Sequence, residues 1–252
     1  MEMKNNYKHI VVNGCSFTDS IHRTNFPLVE RYNAKFYNIS KQGGSLQRIV
    51  RTTLDWISKN SKKINDTLFV LGITSIERFE LFNNKSNSWT PMNHFYGEIK
   101  KGWVRQNDDK SKNQNSTLIG WSVKERSNYF YNFYNDNAIF YSAIKDIITL
   151  QTLFKLNNID YVMFDSLEPL DSYWKRWCDD KQDKFGYKKI YDNFVDKNYW
   201  FKHKKYESML EFTKNNFEMR VNKVDFHPNS KAHTYWGEKL IKFIEEKNEA
   251  TI

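Results

Sequence analysis

His9-Ile-Val-Val-Asn13-Gly14-Cys15-Ser16-Phe17-Thr18 decides how this chain begins to fold. The β-branched run Ile10 to Val12 favours an extended strand, and glycine followed by small polar residues ends it in a tight loop. A short apolar strand that opens straight into such a loop reads as the first step of an α/β unit.

The rhythm repeats downstream. A helix-like stretch over 24–33 leads to a second strand, Lys35-Phe-Tyr-Asn-Ile39, and then to Gly43-Gly44-Ser45. Ser45 is placed to cap a helix running to about 60. Leu46, Ile49, Val50, Thr53, Leu54 and Ile57 recur there at helical spacing and make one buried face. A third strand over 67–72 ends at Gly72-Ile73-Thr74-Ser75. A helix over about 135–157 precedes a strand at Asp160-Tyr-Val-Met-Phe-Asp165. Residues 168–216 read as several short aromatic helices, and a last helix follows Asp225-Phe-His-Pro-Asn-Ser230. Strands alternating with amphipathic helices predict an α/β fold with a mostly parallel sheet.

Residues 83–132 interrupt this pattern. They are rich in Asn, Ser, Lys and aromatics, including Trp89, Trp103 and Trp121, and show neither period. We expect one domain over 1–252, with 83–132 an insertion, a small β excursion lying over the carboxyl edge of the strands.

Composition bounds the function classes. The 252 residues are 39% hydrophobic and 27% charged, which fits a globular chain that buries a full core. Only two cysteines, Cys15 and Cys178, are present, so no disulfide framework is expected. No apolar run approaches the roughly 18 residues of a membrane helix, and the first residues lack a signal-peptide core. The expectation is a cytoplasmic protein, or one packaged into a virion or phage without secretion. The net charge of +9 invites nucleic-acid binding. Its Lys-rich stretch 171–207 also carries acids throughout, which reads as a mixed solvated surface.

In an open parallel sheet, ligands bind beyond the carboxyl ends of the strands. Three loops with glycine and small polar residues arrive there, at 14–18, 43–45 and 72–75, and Asp225-Phe226-His227-Pro228 precedes the last helix. A serine, a histidine, an acid and several amides in one crevice are what acyl transfer needs.

These residues resemble the SGNH (GDSL-like) hydrolases. Gly14-Cys15-Ser16-Phe17-Thr18 is similar to that family's nucleophile block, with Cys15 where an aspartate usually stands. Gly44 matches the glycine of the second block. Gly72-Ile73-Thr74 matches the third, with Thr74 replacing an asparagine. Asp225-Phe226-His227-Pro228 matches the last block, with the acid two residues before the histidine instead of three. The resemblance covers about 8–75 and 158–248 and implies a flavodoxin-like three-layer sandwich. It further implies a serine esterase with Ser16 as nucleophile, His227 as base and Asp225 as its orienter. An oxyanion hole from the amides of Ser16 and Gly44 and the Thr74 hydroxyl follows, with no cofactor. Its substrates would be small acyl esters, for example O-acetyl groups on a glycan, and acyl transfer would use the same residues.

Bland roles compete for each residue. Ser16 also fits a helix cap, and His227 a surface loop. Asp165 is the spare acid, and His233 suits a packed or capping role, since no metal-ligand spacing surrounds it. Cys15 reads as a small buried hydrophobe. Arg78 would clamp an anionic substrate group or pair with Glu77 or Glu80. The tryptophans of 83–132 and 170–200 would stack on sugars or fill the core. A binding or structural protein with weakened catalysis is the competing class, and a basic nucleic-acid binder is a third. Oligomeric state is not legible.

Overall fold

In a computed structural model, the structure describes residues 3–4, 6–23, 26–83, 87–92, 135–178, 183 and 185–249. Strands are β1 (His9–Asn13), β2 (Lys35–Asn38), β3 (Thr67–Ile73), β4 (Phe79–Asn83), β5 (Ser88–Met92), β6 (Asp160–Asp165) and β7 (Trp200–Phe201). Helices are α1 (Ser16–Asp19), α2 (Pro27–Tyr32), α3 (Leu46–Lys59) and α4 (Asp136–Leu156). They continue with α5 (Leu170–Trp177), α6 (Tyr187–Phe194), α7 (Met209–Asn215) and α8 (Ser230–Glu249).

The main sheet has five strands in the order β2-β1-β3-β6-β7, and every pairing is parallel. With the β4–β5 hairpin set aside, this is the flavodoxin-like, doubly wound order. β1, β3 and β6 are central, and apart from the half-buried His9 that opens β1 every residue of the three is buried. They therefore read as continuous apolar runs.

Strand alternation places the helices. Tyr161 and Phe164 lie three apart on β6, so they face opposite sides of the sheet. Tyr161 stacks on Phe154 of α4, and Phe69 of β3 meets both Phe154 and Trp56 of α3. Phe164 instead meets Trp236 of α8. Helices α3 and α4 thus cover one face and α8 the other, giving three layers.

Local signals explain the long helices. The Ser45 hydroxyl accepts the Arg48 amide at 3.1 Å and opens α3, as expected. The Asn135 side chain caps α4 through the Ala138 amide at 2.9 Å. Asn229 does the same for α8, accepting the Ala232 amide at 3.1 Å. Among the described residues, no helix is long and apolar enough to cross a membrane.

Three expectations change. The helix expected over 24–33 is shorter, starting at Pro27, with a 3-10 turn at Ser20–Arg23 ahead of it. The stretch 168–216 holds a strand, β7, as well as short helices; two residues are too few to show an alternating pattern. The β excursion begins at Phe79, ahead of the expected start at 83, as an antiparallel hairpin. Its first strand docks on α3: Glu80 takes a bidentate Arg51 bond (2.9 and 3.0 Å), and its amide donates to Gln47. The rest of the insertion, with Trp103 and Trp121, lies outside the described residues.

Candidate active site

The first strand exit is held from below. Asn13, the last residue of β1, is fully buried, and its amide nitrogen reaches the Ile49 carbonyl and the Thr52 and Thr53 hydroxyls of α3, each at 2.9 Å. Its oxygen accepts the Gly14 amide at 2.9 Å. The 14–18 loop is thus tied to α3 before it turns. Sequence reading missed this residue; a polar side chain ending an apolar strand was the signal for it.

The turn itself closes on Cys15, whose carbonyl accepts the amides of Thr18 and Asp19 and the Thr18 hydroxyl. Gly14 has no room for a side chain, because a Cβ would collide with Thr18 and with the Gly72 carbonyl. Cys15 is fully buried, matching its bland reading. Ser16 is partly exposed at the first position of α1. Its amide belongs to the N–H groups that a helix leaves without an internal acceptor.

The 225–229 loop is shaped by asparagines. Asn222 accepts the amides of Val224 (3.0 Å) and Asp225 (2.9 Å), and Asn229 donates to the carbonyls of Glu218 (2.7 Å) and Arg220 (3.0 Å). Within it, Asp225 Oδ1 accepts the His227 amide at 2.9 Å, an Asx turn, and also lies 2.5 Å from His227 Nδ1. The turn is what lets an acid two residues away face the imidazole of its own neighbour. These bonds, the backbone one foremost, hold the Asp225 carboxyl below the usual carboxylate range. His227 Nε2 is 2.9 Å from Ser16 Oγ, and Phe17 packs on the imidazole with ring centroids 4.9 Å apart. With the Nδ1 proton donated to Asp225, Nε2 is the acceptor for the serine hydroxyl. Ser16, His227 and Asp225 are therefore brought together as one hydrogen-bonded chain, and both His227 and Asp225 are about 40% exposed.

The other expected residues stand differently. Gly44 lies against the nucleophile loop: a Cβ there would sit 2.9 Å from the Gly14 carbonyl. Its amide, however, donates to Lys41 at 2.9 Å and closes a turn in which Gly43 takes a φ of 70°. Thr74 is fully buried, and its hydroxyl accepts from Arg78 at 3.2 Å. In this structure the Gly44 amide is given to the Lys41 carbonyl, whereas the Thr74 hydroxyl accepts from Arg78 and its own proton is not shown engaged. A tight turn has used the amide, and the short threonine side chain stays beneath the surface.

Arg78 does not pair with Glu80, which belongs to Arg51. It lines a cavity of about 230 Å³ with Leu46, Ile76 and Ile139. Asp165 is not the orienter of His227: it accepts the Trp200 indole N–H at 2.9 Å, and burial pushes its pKa up to about 7. His233 is packed, as its bland reading held. It is 1% exposed, with Nε2 2.6 Å from Ser20 Oγ, and burial lowers its pKa to about 4. Trp174 and Trp200 fill the core, whereas Trp89 is exposed beneath the Arg51 guanidinium, which sits 5.1 Å from its ring. Among the described residues, no group of three His, Cys, Asp or Glu side chains is arranged to hold a metal.

Ester hydrolases stand among the solved structures this chain is similar to. One is the psychrotrophic esterase EstA from Pseudoalteromonas sp., in a structure inhibited by monoethylphosphonate: 8% identical, TM-score 0.47, covering 95% of this chain and 97% of that one. TesA shows 8% identity and a TM-score of 0.47 over 95% and 99% of the two chains. A GDSL-like lipase from Bacteroides thetaiotaomicron shows 13% and 0.39 over 95% and 88%. No family model matches the chain, and no curated protein sequence does. At such identities and scores, the reading of the site rests on its own geometry.

Proposed function

We propose that the chain is a serine hydrolase acting on ester bonds. The observation that carries this is the continuous Asp225–His227–Ser16 hydrogen-bond chain at the carboxyl end of a parallel sheet. Ser16 Oγ attacks the ester carbonyl while its proton passes to His227 Nε2. Asp225 keeps the proton on Nδ1 and stabilises the imidazolium that forms. His227 then gives the proton to the leaving alkoxide, and water, activated by the same base, releases the acyl group from Ser16.

The Ser16 amide serves as the first oxyanion donor. Gly44 and Thr74 join it when the Lys41 turn bond is given up and the Thr74 hydroxyl turns outward. Arg78, beside Thr74, is the residue for an anionic part of the substrate. Small acyl esters, O-acetyl groups on a glycan among them, are the substrate class, and an alcohol in place of water makes the same site an acyltransferase.

One observation favours a second reading, an SGNH-type binding protein with weak turnover. Of the expected oxyanion donors, the Gly44 amide is engaged by the Lys41 carbonyl and the Thr74 hydroxyl is fully buried, and each missing donor costs about 100- to 1,000-fold in rate.

Labelling with a fluorophosphonate, followed by intact mass, together with hydrolysis of p-nitrophenyl acetate, separates the two. A hydrolase is labelled and turns over, and both are lost in Ser16→Ala. Labelling at Ser16 without turnover supports the binding protein. No adduct on the wild type overturns the nucleophile.

A further inference from the structure

Helix α8 is docked on the chain that follows Ser16. His233, Gly237 and Glu245 are multiples of four residues apart, so they share one face of the helix. That face meets Ser20, Pro27 and Arg31 in turn. Gly237 stands so close that a Cβ there would come within 2.7 Å of Pro27 Cδ. Arg31 reaches Glu245 at 2.8 Å on the surface, where an ion pair restrains little. The first contact is of another kind: His233 is 1% exposed, and its Nε2 lies 2.6 Å from Ser20 Oγ.

This bond joins the same two stretches of chain as the triad does. Ser16 opens α1 and Ser20 follows its last residue, while His227 and His233 stand on either side of the α8 start at Ser230. Ser16 and His227 are 211 positions apart, and Ser20 and His233 are 213 apart. Helix α1 is a single turn, folded over the Cys15 carbonyl, and one turn does not hold its own direction. On the other side, the His233 amide donates to the Asn229 carbonyl at 3.1 Å, two residues beyond His227. A shift of Ser20 against His233 is therefore passed to Ser16 and His227 through a few bonds on each side.

A histidine is a poor choice for filling space at this position. Burial keeps its ring neutral, and Nδ1 is buried with no hydrogen-bond partner among the described residues. A leucine would fill the volume without leaving a polar atom unsatisfied. What leucine cannot supply is direction, because apolar contact is non-directional and a hydrogen bond weakens steeply away from its preferred distance and angle. We propose that Ser20 and His233 are a positioning pair for the triad, setting the reach between Ser16 Oγ and His227 Nε2 without touching substrate. Their part in the reaction rests on the hydrolase reading of Ser16 and His227. A displacement of about 1 Å can cost about a hundredfold in rate, and a smaller one costs about tenfold.

The double variant Ser20→Ala/His233→Leu of the full-length chain removes the bond and leaves no buried polar atom behind. Its Tm is expected within about 3 °C of the wild type. Its kcat for p-nitrophenyl acetate is expected to fall about tenfold at unchanged KM, whereas Ser20→Thr, which keeps a hydroxyl, retains the wild-type kcat. Nitrogen-15 NMR of the imidazoles reads the geometry without turnover: in the double variant the His227 Nε2 resonance is expected to move toward its position in Ser16→Ala. Should the double variant not fold, Ser20→Ala alone is read in the same way. In an active chain, a folded variant with wild-type kcat overturns the proposal, as does a loss in Ser20→Thr as large as in the double variant. A wild-type chain that neither labels nor turns over loses the hydrolase reading. The resonance then decides this inference alone: an unmoved His227 Nε2 overturns it, and a moved one shows that Ser20 and His233 hold Ser16 to His227.

Discussion

Two neighbouring parts of one crevice are in different states. The proposed proton-transfer side is assembled: Asp225, His227 and Ser16 are linked at 2.5 and 2.9 Å. The proposed anion-stabilising side is closed, with the Gly44 amide on Lys41 and the Thr74 hydroxyl buried under Arg78. The difference comes from chain locality. Asp225 and His227 sit in one loop and find each other through a turn, whereas the oxyanion donors come from separate loops that local bonds can occupy. A hydrogen-bonded serine–histidine–aspartate chain can therefore form beside loops whose donors are otherwise engaged.

The largest expected effect breaks the assembled side. Asp225→Asn is expected to lower kcat for p-nitrophenyl acetate by about a hundredfold, because the amide favours the wrong imidazole tautomer. This is less than the ~10,000-fold seen for a buried orienting acid, since Asp225 is 40% exposed and water shares its task. Steady-state kinetics read it, and a loss below threefold means His227 is oriented by its other neighbours.

Thr74→Val sharpens the closed side. If the hydroxyl turns outward during reaction, kcat falls about a hundredfold. If it remains only the acceptor for Arg78, kcat stays within about threefold and the cost appears as about 1 kcal/mol of stability in urea unfolding.

Gly44→Ala tests the contact between the two sides. The new Cβ would lie 2.9 Å from the Gly14 and Lys41 carbonyls, so the 14–18 loop must shift. A destabilisation of about 1–3 kcal/mol is expected, with slower fluorophosphonate labelling of Ser16.

The smallest effect lies away from the triad and depends on pH. The Asp165 carboxyl has its folded pKa raised to about 7 by burial. Its neutral form therefore supports the fold fully below the ordinary carboxylate pKa, and that support is lost as pH rises through about 7. Tm of Asp165→Asn should exceed that of the wild type at pH 8 and lose this advantage at pH 4. An equal difference at both pH values would show that Asp165 does not titrate in this range.

Much of the frame was legible because it rests on short-range rules. Ile10 to Val12, the helical face from Leu46 to Ile57 and the Ser45 cap all act within a few residues, and the structure has β1, α3 and the cap where they point. β7 was not legible. Trp200 and Phe201 are extended because β6 lies beside them, and no local pattern marks that. Among the site residues, Ser16, His227 and Asp225 were readable as residue types at loop positions. Asn222 and Asn229, which shape the 225–229 loop, were not, because their partners are irregular backbone; Asn13 showed only as a polar side chain ending an apolar strand, with its partners on a helix 36 and more residues away.

The amino-acid order alone determined the alternation of strand and helix and which side chains are available for chemistry at the strand exits. Periodicity and turn preference are local properties, so they can be read along the chain. Tertiary structure alone decided that Ser16 meets His227 across 211 positions, that the Gly44 amide is given to Lys41 and Thr74 is buried beneath Arg78, and that one Asp165 oxygen is buried with no hydrogen-bond partner among the described residues. Such outcomes depend on which distant groups compete for each donor and acceptor, and that competition is settled only when the layers pack.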